Sequence, residues 1–304
     1  MQKKTQVILG LSAIVAVTAG VAGASTFAWF TTQRTAQVNL TSAKIYNTTS
    51  KLSIAYGTTD GSITSGGYRT GHTDIIDVVG STNALMTDVS GNGVSLYRPD
   101  WVPGGEGTAA SAINKMTNTS PAATDYYYLK FSVTLSNDGN SAMKVFLNTG
   151  SSVFAHVPDG GSATEASTTA AKATRVAILD NSQNLVTTWQ FNTDQSTTKT
   201  DYKYLAVNSA KSAYGVSGYE EKAIASTDKF HLGDFSKVYD GFLSGDVTAS
   251  DQYLCSLAAK GTTGDNQTLW FVMWLEGTST YAKNTDAVNA VGGLVDMTIN
   301  IAGY

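Results

Sequence analysis

Histidine, cysteine and the acids carry most of the chemistry at protein sites, and this chain uses the first two sparingly. It has three histidines, His72, His156 and His231, and one cysteine, Cys255. The histidines are far apart and each sits among loop-forming residues. With no His-x-x-x-His, no Cys-x-x-Cys and no EF-hand spacing, no metal site is expected. The run "SNDGNS" at 136–141 has the look of a calcium-loop fragment, but it lacks the further acids and the closing Glu, so it reads as a turn. There is no Gly-x-Ser-x-Gly, phosphate loop or dinucleotide fingerprint, and "GSITSGG" precedes no helix that can hold a phosphate. Glu220 and Glu221 are adjacent, so on a strand they point to opposite faces and read as a solvated pair. Glu276 stands out. It ends an apolar strand just before Gly277, where it is expected to cap a turn or pair with a cation such as Arg175. No acid–base or nucleophile constellation emerges, so the expectation is a protein that is not an enzyme and takes no cofactor. Among the aromatics, Trp101 in "DWVPGG" is the one loop tryptophan that suits stacking on a sugar, which keeps carbohydrate among the candidate ligands. Tyr127, Trp270 and Trp274 alternate with aliphatics in strong strands and read as core.

Residues of these kinds need elements to position them, and the composition says which. The chain has 304 residues, 42% hydrophobic, with only 14% charged and with 15 Tyr and 5 Trp. Thr, Ser, Asn and Gly fill the gap. That mixture suits a β-protein with polar loops rather than a helical bundle. The net charge of −4 and the lack of a basic patch argue against nucleic acid as a partner. A single cysteine rules out an internal disulfide, so the fold relies on its core. Cys255 reads as a small buried hydrophobe on a helix.

Alternation places the strands. Residues 35–56 hold two, with Val38 and Leu40 on one face of the first and Leu52, Ile54 and Tyr56 on one face of the second. "DIIDVV" at 74–79 is a short apolar run. "YRPDWVPGGEG" reads as a turn-rich loop and "TAASAINKM" as one short helix. The clearest signal is 126–150. There Tyr127, Leu129, Phe131, Val133 and Leu135 alternate, an Asp-Gly turn follows, and Met143, Val145 and Leu147 resume, which predicts a hairpin of two core strands. Residues 162–174 read as helix or loop, and 175–191 as strand, Asp-Asn turn, strand. Residues 192–250 are polar, with strands too weak to place. "TASDQYLCSLAAK" at 248–260 looks like a helix stopped at Gly261. "TLWFVMWLEGT" at 268–278 reads as a strand covered on both faces. At 294–301, Leu294, Asp296, Thr298 and Asn300 oppose Val295, Met297, Ile299 and Ile301.

The N-terminus reads as an export signal. Lys3 and Lys4 precede residues 7–30, which carry no charge. Ala22 and Ala24 occupy the −3 and −1 positions of an Ala-x-Ala site, which predicts cleavage by signal peptidase after Ala24. The alternative is a retained membrane anchor reaching to about residue 30, since about 20 apolar residues span a bilayer. On either reading, residues 31–304 lie outside the membrane, and the membrane is a partner only through this segment. Residues 25–304 then form one elaborated β-sandwich domain, beginning with an N-terminal strand at 26–40.

These stretches resemble the TasA/camelysin group of bacterial proteins, which carry a SipW-type signal peptide. The resemblance rests on Thr26-Phe27-Ala28-Trp29-Phe30 ending the small-residue hydrophobic segment, with a strand directly behind it. The "YLKFSVTLSNDGNSAMKVFLN" and "TLWFVMWLEGT" stretches are similar to the family's strand–turn–strand module and to a late core strand. The resemblance implies a secreted, jelly-roll-like antiparallel β-sandwich with long loops and one or two short helices, behind an N-terminal hydrophobic helix. It also implies assembly into surface or biofilm-matrix fibres, with the N-terminal strand of one subunit completing the next. The assembly strand would comprise Thr26, Phe27, Trp29, Phe30, Val38 and Leu40, and the partner would be a second copy in a filament. The competing expectation is a monomeric cell-surface adhesin or carbohydrate-binding protein.

Overall fold

The computed structural model describes residues 38–47, 51–57, 69–70, 73–76, 84–101, 109–117, 128–148, 150–191, 197–233, 252–282 and 292–303. The expectations on Ala22, Ala24, Thr26, Phe27, Trp29, Phe30, His72 and Tyr127 lie outside the described residues.

The chain is mainly β and builds two sheets that share one core. It crosses between them repeatedly, beginning with β1 (Val38–Asn47) in the first sheet and β2 (Leu52–Gly57) in the second. The short β3 (Arg69–Thr70) adds to β2, while β4 (Thr73–Ile76) and β5 (Ala84–Met86) flank β1. Next come β6 (Asp88–Gly91), β7 (Leu96–Trp101), β8 (Ala110–Lys115) and β9 (Leu129–Asn137) in the second sheet, then β10 (Met143–Leu147) and β11 (Ser152–Ala155) in the first. A helix, α1 (Glu165–Ala173), leads to β12 (Thr174–Leu179) and β13 (Leu185–Gln190), which pair with each other. A separate two-stranded ribbon, β14 (Lys203–Ala213) and β15 (Val216–Ala223), precedes β16 (Phe230–Leu232) beside β13. The chain closes with β17 (Tyr253–Leu257), β18 (Asn266–Glu276) and β19 (Leu294–Gly303).

The first sheet runs β17-β10-β19-β1-β4 and the second β16-β13-β12-β18-β6-β7-β8, with β9 and β2 joining the second through β18. Pairing is mostly antiparallel, as expected, but β1–β19, β13–β16 and β18–β6 are parallel. The core between the sheets takes alternate residues from both: Leu129, Phe131, Val133 and Leu135 of β9, Phe271 and Met273 of β18, and Val295, Met297, Ile299 and Ile301 of β19. Phe131 and Phe271 are register partners whose rings stack with centroids 5.3 Å apart. Val272 and Trp274 point the other way, into a second cluster with Val89, Leu96 and Ala177. So β18 is covered on both faces, as its unbroken apolar run requires. α1 closes one end with Ala170, Ala171 and Ala173 in the core. Its first turn is capped by Thr164, whose hydroxyl accepts from the Ser167 N–H at 3.1 Å.

Several expectations change. Residues 129–147 are two core strands but not a hairpin. β9 already has β18 on one edge and β2 on the other, so β10 crosses to the other sheet to pair with β17 and β19. A two-residue hairpin turn there needs Gly at positive φ, and Gly139 is not among the positive-φ glycines. Cys255 lies on β17, an edge strand opposite Val145, and not on a helix. A five-residue apolar stretch satisfies either period, and the free edge of β10 decides it. Residues 110–115 form β8 rather than a helix because β7 pairs along them. For the same reason, 96–101 is a strand rather than a loop. Pro99 is tolerated because β6 pairs only with Leu96 and Tyr97, so at Pro99 β7 has a neighbour on one side alone. The ribbon at 203–223 was illegible because it buries few side chains. Its turn, Tyr214 (φ 52) and Gly215 (φ 80), puts Gly where a primed two-residue turn favours it.

Candidate functional site

Two places in the fold can do more than hold it together. The first is the seat of β1. Its residues Val38–Leu40 pair with β5, Ala43–Tyr46 pair with β4, and the opposite edge runs parallel to β19 from Asn39↔Leu294 to Asn47↔Ile301. The N-terminal strand was expected at 26–40, completing the sheet of a neighbouring subunit, and of it Val38–Leu40 are described. In the single chain, the stretch from Val38 is instead bonded on both edges within its own sheet.

The second is a polar pocket on the outer face of the second sheet. Alternation on β12, β13 and β18 puts Arg175, Gln190 and Glu276 on that face, while their neighbours Val176, Trp189 and Leu275 fill the core. Arg175 is 1% exposed and Glu276 is fully buried. Arg175 Nη1 donates to Glu276 Oε2 at 2.7 Å and to the Lys203 carbonyl at 2.8 Å, and its Nε donates to Gln190 Oε1 at 2.7 Å. Glu276 also accepts from Trp274 Nε1 at 3.1 Å and from the Thr278 N–H and hydroxyl. Glu276 thus ends its strand by bonding Thr278 in the turn and pairing with Arg175, as the sequence led us to expect. Burial pulls the Arg175 guanidinium below its ordinary pKa and Glu276 pulls it back. An arginine stays charged through such shifts. The rings of Phe230 and Tyr202 lie 5.3 and 6.0 Å from its central carbon. A buried pair of this kind is weak evidence for stability but a costly thing to break.

The pocket beside this pair has a volume of about 290 Å³. Arg175, Thr188, Tyr204, Asp228 and Phe230 line it, with Asn92 at the turn between β6 and β7. That turn is held by Asn92 Oδ1, which accepts from the Val94 and Ser95 N–H groups. Gly93 follows at φ +87, where a Cβ would sit 2.2 Å from Ala177 Cβ, so only glycine lets the turn lie against the sheet. Asp228 Oδ2 accepts from the Ala225 N–H at 2.8 Å. Asp88, at the start of β6, is pushed up to about 6 by burial, although Arg98 at 3.5 Å pulls it down.

The remaining candidates are placed as follows. Glu221 lies on the ribbon, 3.9 Å from Lys203 Nζ, with the Tyr214 hydroxyl bonded to it. Glu220 is its strand neighbour, pairing with Ala206. His156 meets Asp296 at 2.9 Å, and His231 is on β16. Trp101 ends β7, not a loop. Burial pushes the Cys255 thiol up to about 12, so it carries no thiolate at neutral pH. Among the described residues, no group of three or more His, Cys, Asp or Glu comes together. Sequence reading found Arg175 and Glu276 but missed the pocket that Arg175 lines, because half of its lining comes from 204–230, where no strand was legible. No family model, curated protein or solved structure matches this chain.

Proposed function

We propose that the protein is a secreted structural subunit of an extracellular surface or biofilm-matrix fibre, in which neighbouring copies exchange the N-terminal strand. The observation that supports this reading is the setting of β1, the first of the described strands, bonded on both edges within its sheet and parallel to β19 from Asn39 to Asn47. Lifting it out leaves a slot between β19 on one side and β4 and β5 on the other. The same segment of another copy fills that slot with the same backbone bonds. The chain passes from one sheet to the other between Asn47 and Leu52. Exchange in one direction is heterologous and does not close, so it makes filaments. The donor segment then runs from Thr26, directly behind the signal-peptidase site at Ala24, through Asn47. Cleavage on export frees it.

A cysteine pair tests the exchange. Lys44 and Thr298 are register partners. In a Cys255→Ser background, Lys44→Cys with Thr298→Cys should oxidise into a ladder of covalent multimers from exported material that shows filaments by negative stain. A cross-link confined to single chains, from material that stays monomeric when concentrated, ends the proposal. Intact mass of the exported chain should start at Ser25.

A further inference from the structure

We propose that the pocket floored by Arg175 binds a neutral, hydroxyl-rich ligand, a single sugar ring, held between the guanidinium and Asp228 and walled by Tyr204 and Phe230. The site is independent of strand exchange and stands or falls separately from it. Three features select this ligand class. The first is the donor pattern of Arg175. Its Nε is taken by Gln190 and its Nη1 by Lys203 and Glu276. Nη2 takes part in none of these bonds, so it is the donor that Arg175 brings to the cavity it lines. A carboxylate or phosphate is recognised by two parallel N–H groups of a guanidinium, and that fork is already spent. The two N–H groups left on Nη2 diverge from one nitrogen, so each suits a single oxygen, from a hydroxyl or a ring ether.

The second feature is charge. Glu276, fully buried at 2.7 Å from Nη1, already balances Arg175, and Asp228 and Lys229 bring one charge of each sign to the lining. A second anion on the floor would be buried without a cation of its own, which is costly. A neutral ligand carries no such penalty. The third is the complement of groups around the walls. Asp228 Oδ2 is engaged by Ala225, which leaves Oδ1 to accept from a ligand hydroxyl. Asn92 Oδ1 is engaged by the turn, which leaves its amide to donate. The Tyr204 and Phe230 rings offer apolar faces of the sort that meet the C–H face of a sugar. At about 290 Å³, the cavity is at the small end of the roughly 300–1,000 Å³ of ligand pockets. It has room for one ring.

The test uses the mature full-length chain and saturation-transfer NMR. The neutral probes are glucose, galactose, mannose, N-acetylglucosamine and N-acetylgalactosamine, each also as a soluble oligosaccharide. Glucuronate, acetate and inorganic phosphate are the anionic probes. At least one neutral sugar should bind, with the oligosaccharide favoured if the source is a polysaccharide chain end and the monosaccharide if it is a free sugar. Asp228→Asn and Tyr204→Ala should each weaken binding about tenfold, the effect of one lost hydrogen bond or stacking face, with melting temperatures reported alongside. Asp228→Asn keeps an acceptor for Ala225 and so preserves the loop. The proposal is overturned if no neutral sugar binds, if the anions bind in their place, or if sugar binding survives both substitutions in folded protein. Filaments with no sugar binding would sink this inference alone, and sugar binding by a strict monomer would sink the fibre alone.

Discussion

Residues 129–147 and 174–190 both read as strand, polar turn, strand, yet only the second is a hairpin. In the second, Val176↔Trp189 through Leu179↔Leu185 pair directly. The turn is closed within itself by Asp180, whose carboxylate accepts from the Asn184 N–H at 2.8 Å and side chain at 3.1 Å. In the first, the chain leaves one sheet for the other, and its corner is fixed from outside. Asn137 is fully buried, donates to the carbonyls of Ser141 and Ala258, and accepts from the Gly139 N–H. The neighbouring Asp138 N–H reaches the Lys51 carbonyl, and Lys260 donates its N–H to Gly139. A hairpin is specified by its own residues, whereas an arch is specified by the edges its strands find already occupied.

The largest effects should come from the arch. Phe131→Ala removes a ring stacked on Phe271 in the shared core and should cost about 3–5 kcal/mol by urea denaturation. An unchanged midpoint would mean that β9 turns its other face inward. Asn137→Ala takes the partner from the buried Gly139 N–H and from the carbonyls of half-buried Ala258 and exposed Ser141, and should cost about 1–3 kcal/mol. If it costs no more than an ordinary surface change, the corner is set by its strands and not by its side chain.

The turn from β6 to β7 lies between these extremes, a local hairpin pressed onto the sheet. Asp88 and Arg98 bracket it at 3.5 Å. The folded pKa of Asp88, about 6, lies above its ordinary 3.8, so between those values the folded chain holds the extra proton. The stability this provides is complete below about pH 3.8 and is lost as pH rises through about 6. Asp88→Asn should remove that fall. The variant should match or exceed the parent at pH 7, by on the order of 1–3 kcal/mol. A variant less stable than the parent at pH 7 would show that the ion pair with Arg98 outweighs burial of the charge.

The same contrast explains what was legible in the sequence. Period-2 alternation marked β9, β10 and β19 because burial on one pleated face leaves that imprint residue by residue, an unbroken apolar run marked β18, and the Asp-Asn turn marked β12 and β13. The pairing of Glu276 with Arg175 was legible because a charge ending an apolar strand needs a partner. Which strand neighbours which was not legible where the partners are distant, as at β9 and β10. β17 and β8 were read as helices because a short apolar stretch fits either period until an edge is offered. The ribbon β14–β15, with most of β14 half-exposed or exposed, left too faint an apolar pattern to place. The pocket vanished with it.

The smallest effect sharpens the comparison most, because it sets one acid in each turn against the other. Asp138 in the arch is bonded by the Ser53 hydroxyl and by Lys260 Nζ at 3.1 Å, residues of two other segments. The Ser53 bond and then Lys260 hold its carboxyl below the ordinary range. Asp180 in the hairpin is also held low. Its slight burial acts upward but is outweighed by the backbone and side chain of Asn184. For both, the folded pKa lies below the unfolded one. The stability they contribute is therefore present above the ordinary 3.8 and lost as pH falls through the lower folded value. Both carboxylates are solvent-facing, so each is worth at most about 1 kcal/mol. Asp138→Asn and Asp180→Asn should each flatten the acid limb of a stability–pH profile by a similar small amount. They should differ in salt dependence. Asp138 has a lysine across the arch, so its contribution should shrink as ionic strength rises. Asp180 is held chiefly by neutral donors in its own turn, with Lys229 the smallest contributor and not hydrogen-bonded to it, and should respond less. Equal salt responses would mean that the arch, like the hairpin, is set chiefly by neutral hydrogen bonds.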